Sequence, residues 1–432
     1  MRRISTLLCT TLLVTSTAQA QDSGPRTVED LWKIIQQQQA EIDALKNDNK
    51  NTQQQLADTQ QQVVQNEQAV NATGDALENI STVSGSLADW VENTQIGSYG
   101  ELHYNNLSAE DNEADIKEID FHRFVLFLNH QFNDRLRLFS EIELEHSIAG
   151  DEEDGEFELE QAYIQYDLDD NHKLNGGLFL MPVGILNETH EPNTFYGVER
   201  NSIEKFIIPT TWWEAGAAVN GAYANGLSWD LAMTSGLEIG DNYEIRGGRQ
   251  KVSEASANDP AYTARLKYTG ISGLELSTSY QLQMDANQGK NSDIEQGQLM
   301  EAHAIYTNGG FGLRALWAEW DFDGDGIEAA DADSQKGWYV EPSYRFRPGN
   351  WDIGVFARYE DVDSYKLSTK EINGAEDAYQ LGQFDEWSVG VNYWPIPNVV
   401  IKADYRERNY DESKTADIFD FTGIDLGLGY SF

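Results

Sequence analysis

Basic residues recur two positions apart in several segments whose alternate positions are apolar. This spacing places side chains on one face of a β-strand, so the basic groups would point to the same side. The guanidinium fork of arginine pairs with phosphate or carboxylate oxygens and stays charged at any relevant pH. Alternatively, these cations pair with acidic residues on neighbouring strands and do not select anions. The predicted basic ladder consists of Arg135, Arg137, Arg265, Lys267, Arg345, Arg347, Arg358, Lys402, Arg406 and Arg408.

The longest connection between predicted strands, Met181–Thr210, is apolar and aromatic rather than strongly acidic. A segment of this composition is better buried than exposed to solvent. We expect it to fold into the interior of a barrel and to form a constriction there. The charged residues expected at the narrowest point are Glu199, Arg200, Glu204 and Lys205. The alternative is an outer loop that packs on a neighbouring subunit.

Asp321, Asp323 and Asp325 have the spacing of the first carboxylates in a calcium-binding loop, and a glycine follows them. The twelfth position of such a loop is glutamate, but here it is Ala332. The sequence predicts a weak external Ca²⁺ site, and the alternative is a solvated acidic loop.

No catalytic arrangement is visible in the sequence. The 7 histidines are scattered without metal-ligand spacing, and neither a G-x-S-x-G motif nor a phosphate-binding P-loop occurs. We therefore predict that the protein is not an enzyme and has no cofactor other than the weakly bound Ca²⁺.

The elements that would position these groups are β-strands. Near the end of the chain, Ile424, Leu426, Leu428, Tyr430 and Phe432 alternate with small or polar residues. One wholly apolar face is typical of a strand that faces lipid. We also expect the barrel-assembly machinery to recognise Phe432.

Sixteen strands can be assigned between residues 95 and 432, joined by alternating short and long connections. Transmembrane barrels segregate tight turns and long loops in this way. Because backbone polar groups cannot stay unpaired in hydrocarbon, the sheet must close. The prediction is an all-β, sixteen-stranded antiparallel transmembrane β-barrel with a water-filled lumen. Its interfacial aromatic girdles would include Tyr99, Tyr104, Tyr268, Trp338, Tyr393 and Trp394.

The N-terminal region has two further parts. Residues 1–20 resemble a secretory signal peptide, with Arg2 and Arg3 before an apolar run and the small residues Ala18 and Ala20 at cleavage spacing. The single cysteine, Cys9, lies within it, so the mature chain would contain no disulfide. Residues 22–81 carry apolar residues at heptad spacing, which predicts an α-helical coiled coil for oligomerisation, with a linker at 82–94. The heptads alone do not decide between dimer and trimer.

The composition excludes some functions. With 73 acidic and 30 basic residues, the chain has a formal net charge of −43, which argues against a nucleic-acid partner. No apolar run of roughly twenty residues follows the signal peptide, so a helical membrane protein is excluded.

Several segments resemble the phosphate-selective porin O/P family of Gram-negative outer membranes. These are the opening strand Ile96–Leu102, the strand Glu158–Tyr166 with Glu160, Ala162 and Tyr163, the segment Met181–Gly184, and Glu199-Arg200 ahead of Trp213–Gly216. The resemblance implies a sixteen-stranded trimeric channel and a periplasmic, trimeric N-terminal extension. The family's phosphate channels use arginine ladders and a lysine cluster, where this chain offers Arg200 and Lys205.

The expected function is an outer-membrane porin for passive diffusion of small hydrophilic solutes, with phosphate or polyphosphate as the favoured substrate. The expected partners are a second and third copy of the chain, outer-membrane lipid, and small solutes or anions. The alternative is a structural protein whose barrel is an anchor and whose coiled coil tethers the outer membrane to the cell wall.

Overall fold

A computed structural model describes residue 39 and residues 90–109, 115–148, 155–291, 293–368, 379–411 and 420–432. Side chains are described for these residues except 365–368 and 379–382. The predicted signal peptide lies outside the described residues, and so does the predicted coiled coil apart from Gln39. Both remain predictions.

The described chain forms one closed antiparallel barrel of sixteen strands, as predicted. The strands are β1 (Thr94–Ala109), β2 (Ile116–Asn133), β3 (Leu136–Glu145), β4 (Phe157–Asp167), β5 (His172–Leu180), β6 (Trp213–Ala222), β7 (Leu227–Thr234), β8 (Ala261–Ile271), β9 (Leu274–Gln283), β10 (Gly297–Asn308), β11 (Phe311–Phe322), β12 (Ser334–Phe346), β13 (Asp352–Ser368), β14 (Tyr379–Ile396), β15 (Val399–Tyr410) and β16 (Phe421–Ser431). In the described parts of the loops lie three short helical segments: a π-helical turn at Ile203–Ile207, a 3₁₀ turn at Arg246–Gly248 and the helix α1 at Asp325–Ala329. Within the described ranges, no helix combines the length and the apolar character needed to cross a bilayer.

The barrel closes where β1 pairs with β16. The register runs from Tyr99 opposite Ser431 to Ala109 opposite Phe421. Beyond it, Ser98 and Phe432 exchange two backbone hydrogen bonds of 2.9 Å each. Since each of the sixteen described strands then has two neighbours, the sheet that they form has no open edge.

Alternation along the strands separates an apolar outer face from a polar inner face. In β16, Ile424, Leu426 and Leu428 are 51%, 45% and 41% exposed, whereas Asp425 is fully buried inside the barrel. The same outward exposure of large apolar residues recurs around the sheet, for example at Leu126, Leu231, Leu266, Met300, Val389 and Ile401. This surface matches hydrocarbon, which cannot solvate polar side chains.

The two ends of the barrel differ in their connections. At one end, called the short-turn end, the strands are joined by residues 134–135, 168–171, 223–226, 272–273, 309–310, 347–351 and 397–398. In the turn from β10 to β11, Gly309 and Gly310 have φ of 57° and 94°. Glycine suits this turn because other residues rarely adopt positive φ. The opposite end carries the longer connections and is called the long-loop end.

The prediction of interfacial girdles is wrong for two aromatic residues. Tyr268 and Trp338 are exposed on the outer surface, but Tyr99 is fully buried and Trp394 is nearly so. Tyr99 shares its strand face with the buried Glu101, and Trp394 shares its face with the buried Asn392. The parity of these polar neighbours turns both aromatic rings into the lumen.

The connection between β5 and β6, residues 181–212, lies within the barrel and is called the inner loop. It approaches β16 where that strand has glycine on its inner face. A Cβ atom on Gly427 would lie 3.2 Å from Val198, and one on Gly429 would lie 2.5 Å from Pro192. A side chain at 429 would therefore push the loop away from the wall, and glycine permits the close approach.

Asp425 links three strands at the closure. Its Oδ1 accepts a 2.7 Å hydrogen bond from Asn105 of β1, and its Oδ2 pairs with Arg406 of β15. Removing one partner of a buried ion pair leaves an uncompensated charge.

We predict that Asp425→Ala lowers the free energy of unfolding of the barrel by about 3–5 kcal/mol. The measurement is urea unfolding of the purified chain, followed by the shift between folded and unfolded mobility on gels. Glu407→Gln is the control, because Glu407 is exposed on β15. Equal unfolding curves for Asp425→Ala and the control would contradict the role of this network.

Candidate functional site

The Glu204 side chain holds the inner loop in place. This fully buried carboxylate accepts hydrogen bonds of 2.5 Å from the backbone N–H groups of both Ile185 and Leu186. It also accepts 2.9 Å and 3.2 Å hydrogen bonds from Asn201 Nδ2 and the Tyr339 hydroxyl. The sequence predicted Glu204 at the narrowest point of the lumen. The Glu204 carboxylate is instead fully buried and accepts hydrogen bonds from the loop backbone, so it is not accessible to a solute. The expected role is therefore corrected to a structural one.

Apolar packing holds the same side of the loop against β11 to β13. The buried cluster includes Met181, Val183, Ile203, Ile207, Ile208, Trp212 and Trp320. The Trp320 Nε1–H group donates a 2.9 Å hydrogen bond to the Ile207 carbonyl. The apolar side chains that suggested burial of this segment thus pack against the barrel wall.

His190 fastens the loop to the opposite wall. Its carbonyl accepts a 2.6 Å hydrogen bond from Arg123 of β2. Its Nε2 lies 3.7 Å from Glu141 and 3.6 Å from Glu160. Burial alone lowers the pKa of His190, but these two carboxylates outweigh burial and raise it to about 10. A protonated His190 therefore bridges the loop to β3 and β4.

Arg200, Lys205 and Glu199 face a cavity of about 330 Å³ at the long-loop end, which we call the long-loop cavity. Glu199 Oε1 lies 3.2 Å from both His103 Nδ1 and Asn105 Nδ2 on β1. Three of the four residues expected at the constriction therefore line an open space, and Glu204 does not.

A second cavity, of about 540 Å³, lies towards the short-turn end and is called the short-turn cavity. Residues 193–196 of the inner loop line it, together with Arg314, Arg345 and Trp394. Residues 199–206 include the part of the loop that lines the long-loop cavity. The inner loop thus contributes to polar spaces on both of its sides.

Most cations of the predicted basic ladder are paired with carboxylates. Arg358 lies 2.5 Å from Glu360 and 3.4 Å from Glu341, and Arg408 lies 2.7 Å from Glu386. The other pairs are Arg137 with Asp167, Arg265 with Asp230 and Glu188, Lys267 with Glu275, Arg345 and Arg347 with Asp352, and Arg406 with Asp425 and Glu386. These ion pairs shape the wall and neutralise much of its positive charge.

Two ladder residues differ from this description. Arg135 is exposed in the turn before β3, so it does not belong to the inner face of a strand. Lys402 is buried with its Nζ 3.5 Å from the centre of the Phe195 ring, so the inner loop covers it. The predicted ladder therefore consists of several local ion-pair groups, and Arg135 and Lys402 do not join them into a continuous track.

Three arginines at the base of the inner loop are arranged differently, and we call Arg200, Arg246 and Arg249 the arginine cluster. Arg246 and Arg249 donate to the carbonyls of Thr210 and Thr211, and Arg200 Nη1 lies 3.3 Å from Thr211 Oγ1. No carboxylate in the described part of the chain lies within ion-pair distance of any of the three. Burial, Arg249 and Arg200, in that order, lower the pKa of Arg246.

Sequence reasoning missed Arg246 and Arg249. They belong to the connection between β7 and β8, where strand periodicity gives no information. The signal that was available is an Arg-Gly-Gly-Arg segment in a long connection of a strongly acidic chain.

The predicted calcium ligands are not gathered at one point. Asp321 lies in β11, Asp323 follows that strand, and Asp325 begins α1. Among the described residues, three groups of histidine and acidic side chains have ligand atoms within 4.8 Å of one another, and these aspartates are in none of them. Calcium binding remains a prediction.

We predict that Glu204→Ala loosens the inner loop, because the buried amides of Ile185 and Leu186 lose their acceptor. An unsatisfied buried N–H group costs about 1–3 kcal/mol. Hydrogen exchange in peptides from residues 181–212 should therefore accelerate on the order of tenfold or more. Glu199→Ala is the control, since the recorded hydrogen bonds of that carboxylate are to side chains. Unchanged exchange in Glu204→Ala would show that the apolar packing alone fixes the loop.

Comparison with known proteins identifies relatives of this architecture. An uncharacterized protein of Aquifex aeolicus (strain VF5) is 30% identical over 348 residues, covering 75% of this chain and 78% of that protein. Among solved structures, Pseudomonas putida OprB at high pH has a TM-score of 0.53 at 10% identity, covering 81% of this chain and 96% of that chain. An anion-selective porin from Comamonas acidovorans has a TM-score of 0.50 at 10% identity, covering 78% of this chain and 100% of that chain. At these identities, the two solved structures show a shared fold.

The family comparison covers nearly the whole barrel. Residues 96–432 match the family described as phosphate-selective porin O and P. This span begins in β1 and includes β2 to β16, the inner loop and the arginine cluster. The chain therefore belongs to the phosphate-selective porin O and P family.

Proposed function

We propose that this porin lets small hydrophilic solutes diffuse across the outer membrane and that anions, with phosphate or polyphosphate favoured, bind at the arginine cluster. The observation that carries the proposal is the contrast between this cluster and the paired cations of the wall. Arg200, Arg246 and Arg249 have backbone and hydroxyl acceptors but no carboxylate partner among the described residues. Several guanidinium groups at one point suit a multivalent oxyanion.

The surroundings of the cluster support an anion path. Lys205, Arg406 and Arg408 line the long-loop cavity beside Arg200. On the other side of the inner loop, Arg314 and Arg345 line the short-turn cavity. Arg314 Nη2 donates a 2.8 Å hydrogen bond to the carbonyl of Thr194, which places its charge at the tip of the loop. A permeating anion would meet a basic group in each space.

Weak anion binding fits this arrangement better than strong selection. The paired cations retain a local field, but their carboxylate partners cancel it at longer range. The acidic total of 73 residues against 30 basic residues also opposes anion accumulation at the mouths. We therefore propose general permeation with an anion-binding point inside.

The N-terminal region belongs to the same proposal. We propose that residues 22–81 form a periplasmic coiled coil, because their heptads predict an oligomeric helix. That it joins three chains is proposed from the resemblance to the porin O and P family. We also propose that Phe432, 72% exposed at the end of β16, is recognised during barrel assembly. The structural anchor remains the alternative and depends on residues 22–81.

We predict that phosphate reduces chloride current through single channels at concentrations on the order of millimolar. Arg246→Gln combined with Arg249→Gln should raise the phosphate concentration for half-block at least about tenfold, because two charge-assisted contacts are lost. Arg347→Gln is the matched control, since Arg347 is exposed and paired with Asp352. A cation-selective pore without phosphate block would remove phosphate as the substrate and leave the family assignment intact.

We also predict that Arg200→Gln combined with Lys205→Gln shifts the reversal potential in a salt gradient towards cation selectivity. Fixed charge in a narrow lumen acts strongly, whereas charge at an open mouth is screened within a Debye length of about 10 Å at 0.1 M salt. The control replaces Lys117 and Arg135 with glutamine, which removes the same charge from exposed positions. Equal reversal potentials for the two double variants would place the selective point elsewhere.

A further inference from the structure

Two histidines and an aspartate converge at the long-loop end of β2 and β3. Asp120 and His122 lie in β2, and His146 follows the last residue of β3. Asp120 Oδ2 lies 3.1 Å from His122 Nδ1 and 2.9 Å from His146 Nδ1. One carboxylate oxygen therefore faces two imidazole nitrogens at once.

The pairing of β2 with β3 creates this convergence. Arg123 lies opposite Glu145 in the register, so His122 and His146 follow as neighbours across the two strands. The backbone N–H of His146 donates a 3.1 Å hydrogen bond to the His122 carbonyl. The two histidines are 24 positions apart in the chain, which is why no ligand spacing was visible in the sequence.

The separations of the donor atoms suit a metal ion. Ligand atoms from the three side chains lie within 4.8 Å of one another. Four nitrogen or oxygen ligands at 2.0–2.1 Å around a tetrahedral ion are about 3.3 Å apart. Small rotations of the side chains would bring the donor atoms to that spacing, with no rearrangement of the strands.

The three side chains are accessible from the cavity, and a neighbouring histidine restricts the movement of His122. All three side chains line the long-loop cavity, so a hydrated ion can reach them. The His103 ring stacks on the His122 ring with centroids 4.6 Å apart and an interplanar angle of 12°. His103 is itself held by Glu101 at 3.3 Å and Glu199 at 3.2 Å. This stack restricts rotation of the His122 imidazole, as contacts to the ligand side chains do in metal sites.

We propose that Asp120, His122 and His146 bind a divalent transition-metal cation, with Zn²⁺ as the reference ion. Two imidazoles and one carboxylate are ligands that zinc, copper and nickel accept, whereas calcium prefers oxygen ligands alone. Three protein ligands leave one position of a tetrahedral ion for water or a solute anion.

Two other groups of ligand atoms are weaker candidates. Glu141, Glu160 and His190 are all buried, and their contacts already fasten the inner loop. The remaining group consists of three glutamates without an imidazole. Only the group of Asp120, His122 and His146, among those in the described ranges, combines imidazole ligands with exposure to a cavity.

A bound cation would also change the pore. The ion adds positive charge to the cavity that Arg406 and Arg408 line, so cation current should fall when Zn²⁺ is added. This consequence depends on the proposed function as a channel, but the binding itself does not.

The test is isothermal titration calorimetry of Zn²⁺ into the full chain, purified in detergent without a polyhistidine tag. We expect one Zn²⁺ per chain and at least about tenfold weaker binding in His122→Gln combined with His146→Gln. His172→Gln is the matched control, because His172 forms a 2.9 Å contact with Asp169 in a short turn without a second histidine there. Its affinity for Zn²⁺ should equal that of the original chain.

Several outcomes would overturn the proposal: no Zn²⁺ binding by the original chain, equal affinity in the double variant, or an equal loss in His172→Gln. If the double variant does not fold, the proposal is tested instead by the visible absorption of Co²⁺ bound to the unaltered chain. Strong four-coordinate absorption that Zn²⁺ displaces supports the site, and its absence overturns it. Calorimetry and absorption do not require a conducting channel. A failed channel assay would therefore count against the proposed function and not against metal binding.

Discussion

A sheet in a bilayer has to close, because hydrocarbon offers no partner to the backbone groups of a free strand edge. The pairing of β1 with β16 meets this requirement. Closing sixteen strands produces a wide lumen, and every second side chain of each strand points into it. The inner loop occupies part of that space, and the glycines at 427 and 429 let it lie directly on the wall. Closure of the sheet thus determines which side chains of each strand face the lumen, and the polar side chains lie at those positions.

The lumen then imposes a second constraint on charge. A partly buried ion without a partner is costly, so most wall cations are paired with acidic groups on the same or adjacent strands. The arginine cluster is an exception that comes from loops. Carbonyls of Thr210 and Thr211 satisfy hydrogen bonds of Arg246 and Arg249 but supply only partial negative charge. A solute anion would provide the remaining compensation, which is the physical basis for expecting binding at this point.

The sequence predicted the strands because their signal is local and repeated. A period of two identified the outward apolar face of β16, and alternating connection lengths gave the number of strands. The same signal could not identify partners distant in the chain. Glu204 is bound by Tyr339, 135 positions away, and its burial depends on that contact. Arg246 and Arg249 lie in a connection without periodicity, and His122 meets His146 only through strand register. The inward direction of Tyr99 could have been predicted, because Glu101 lies two positions further along the same strand and marks its inner face.

The long-loop cavity combines positively and negatively charged groups. Arg200 and Lys205 approach the cavity from the inner loop, whereas Asp120 and the nearby histidines belong to β2 and β3 on the barrel wall. With a net charge of −43, the chain repels anions at long range, and salt screens much of that repulsion. At short range, no carboxylate of the described residues lies within ion-pair distance of the guanidinium groups of the arginine cluster. Under the proposed function, permeation of anions would depend on the local placement of a few cations rather than on the net charge of the whole chain.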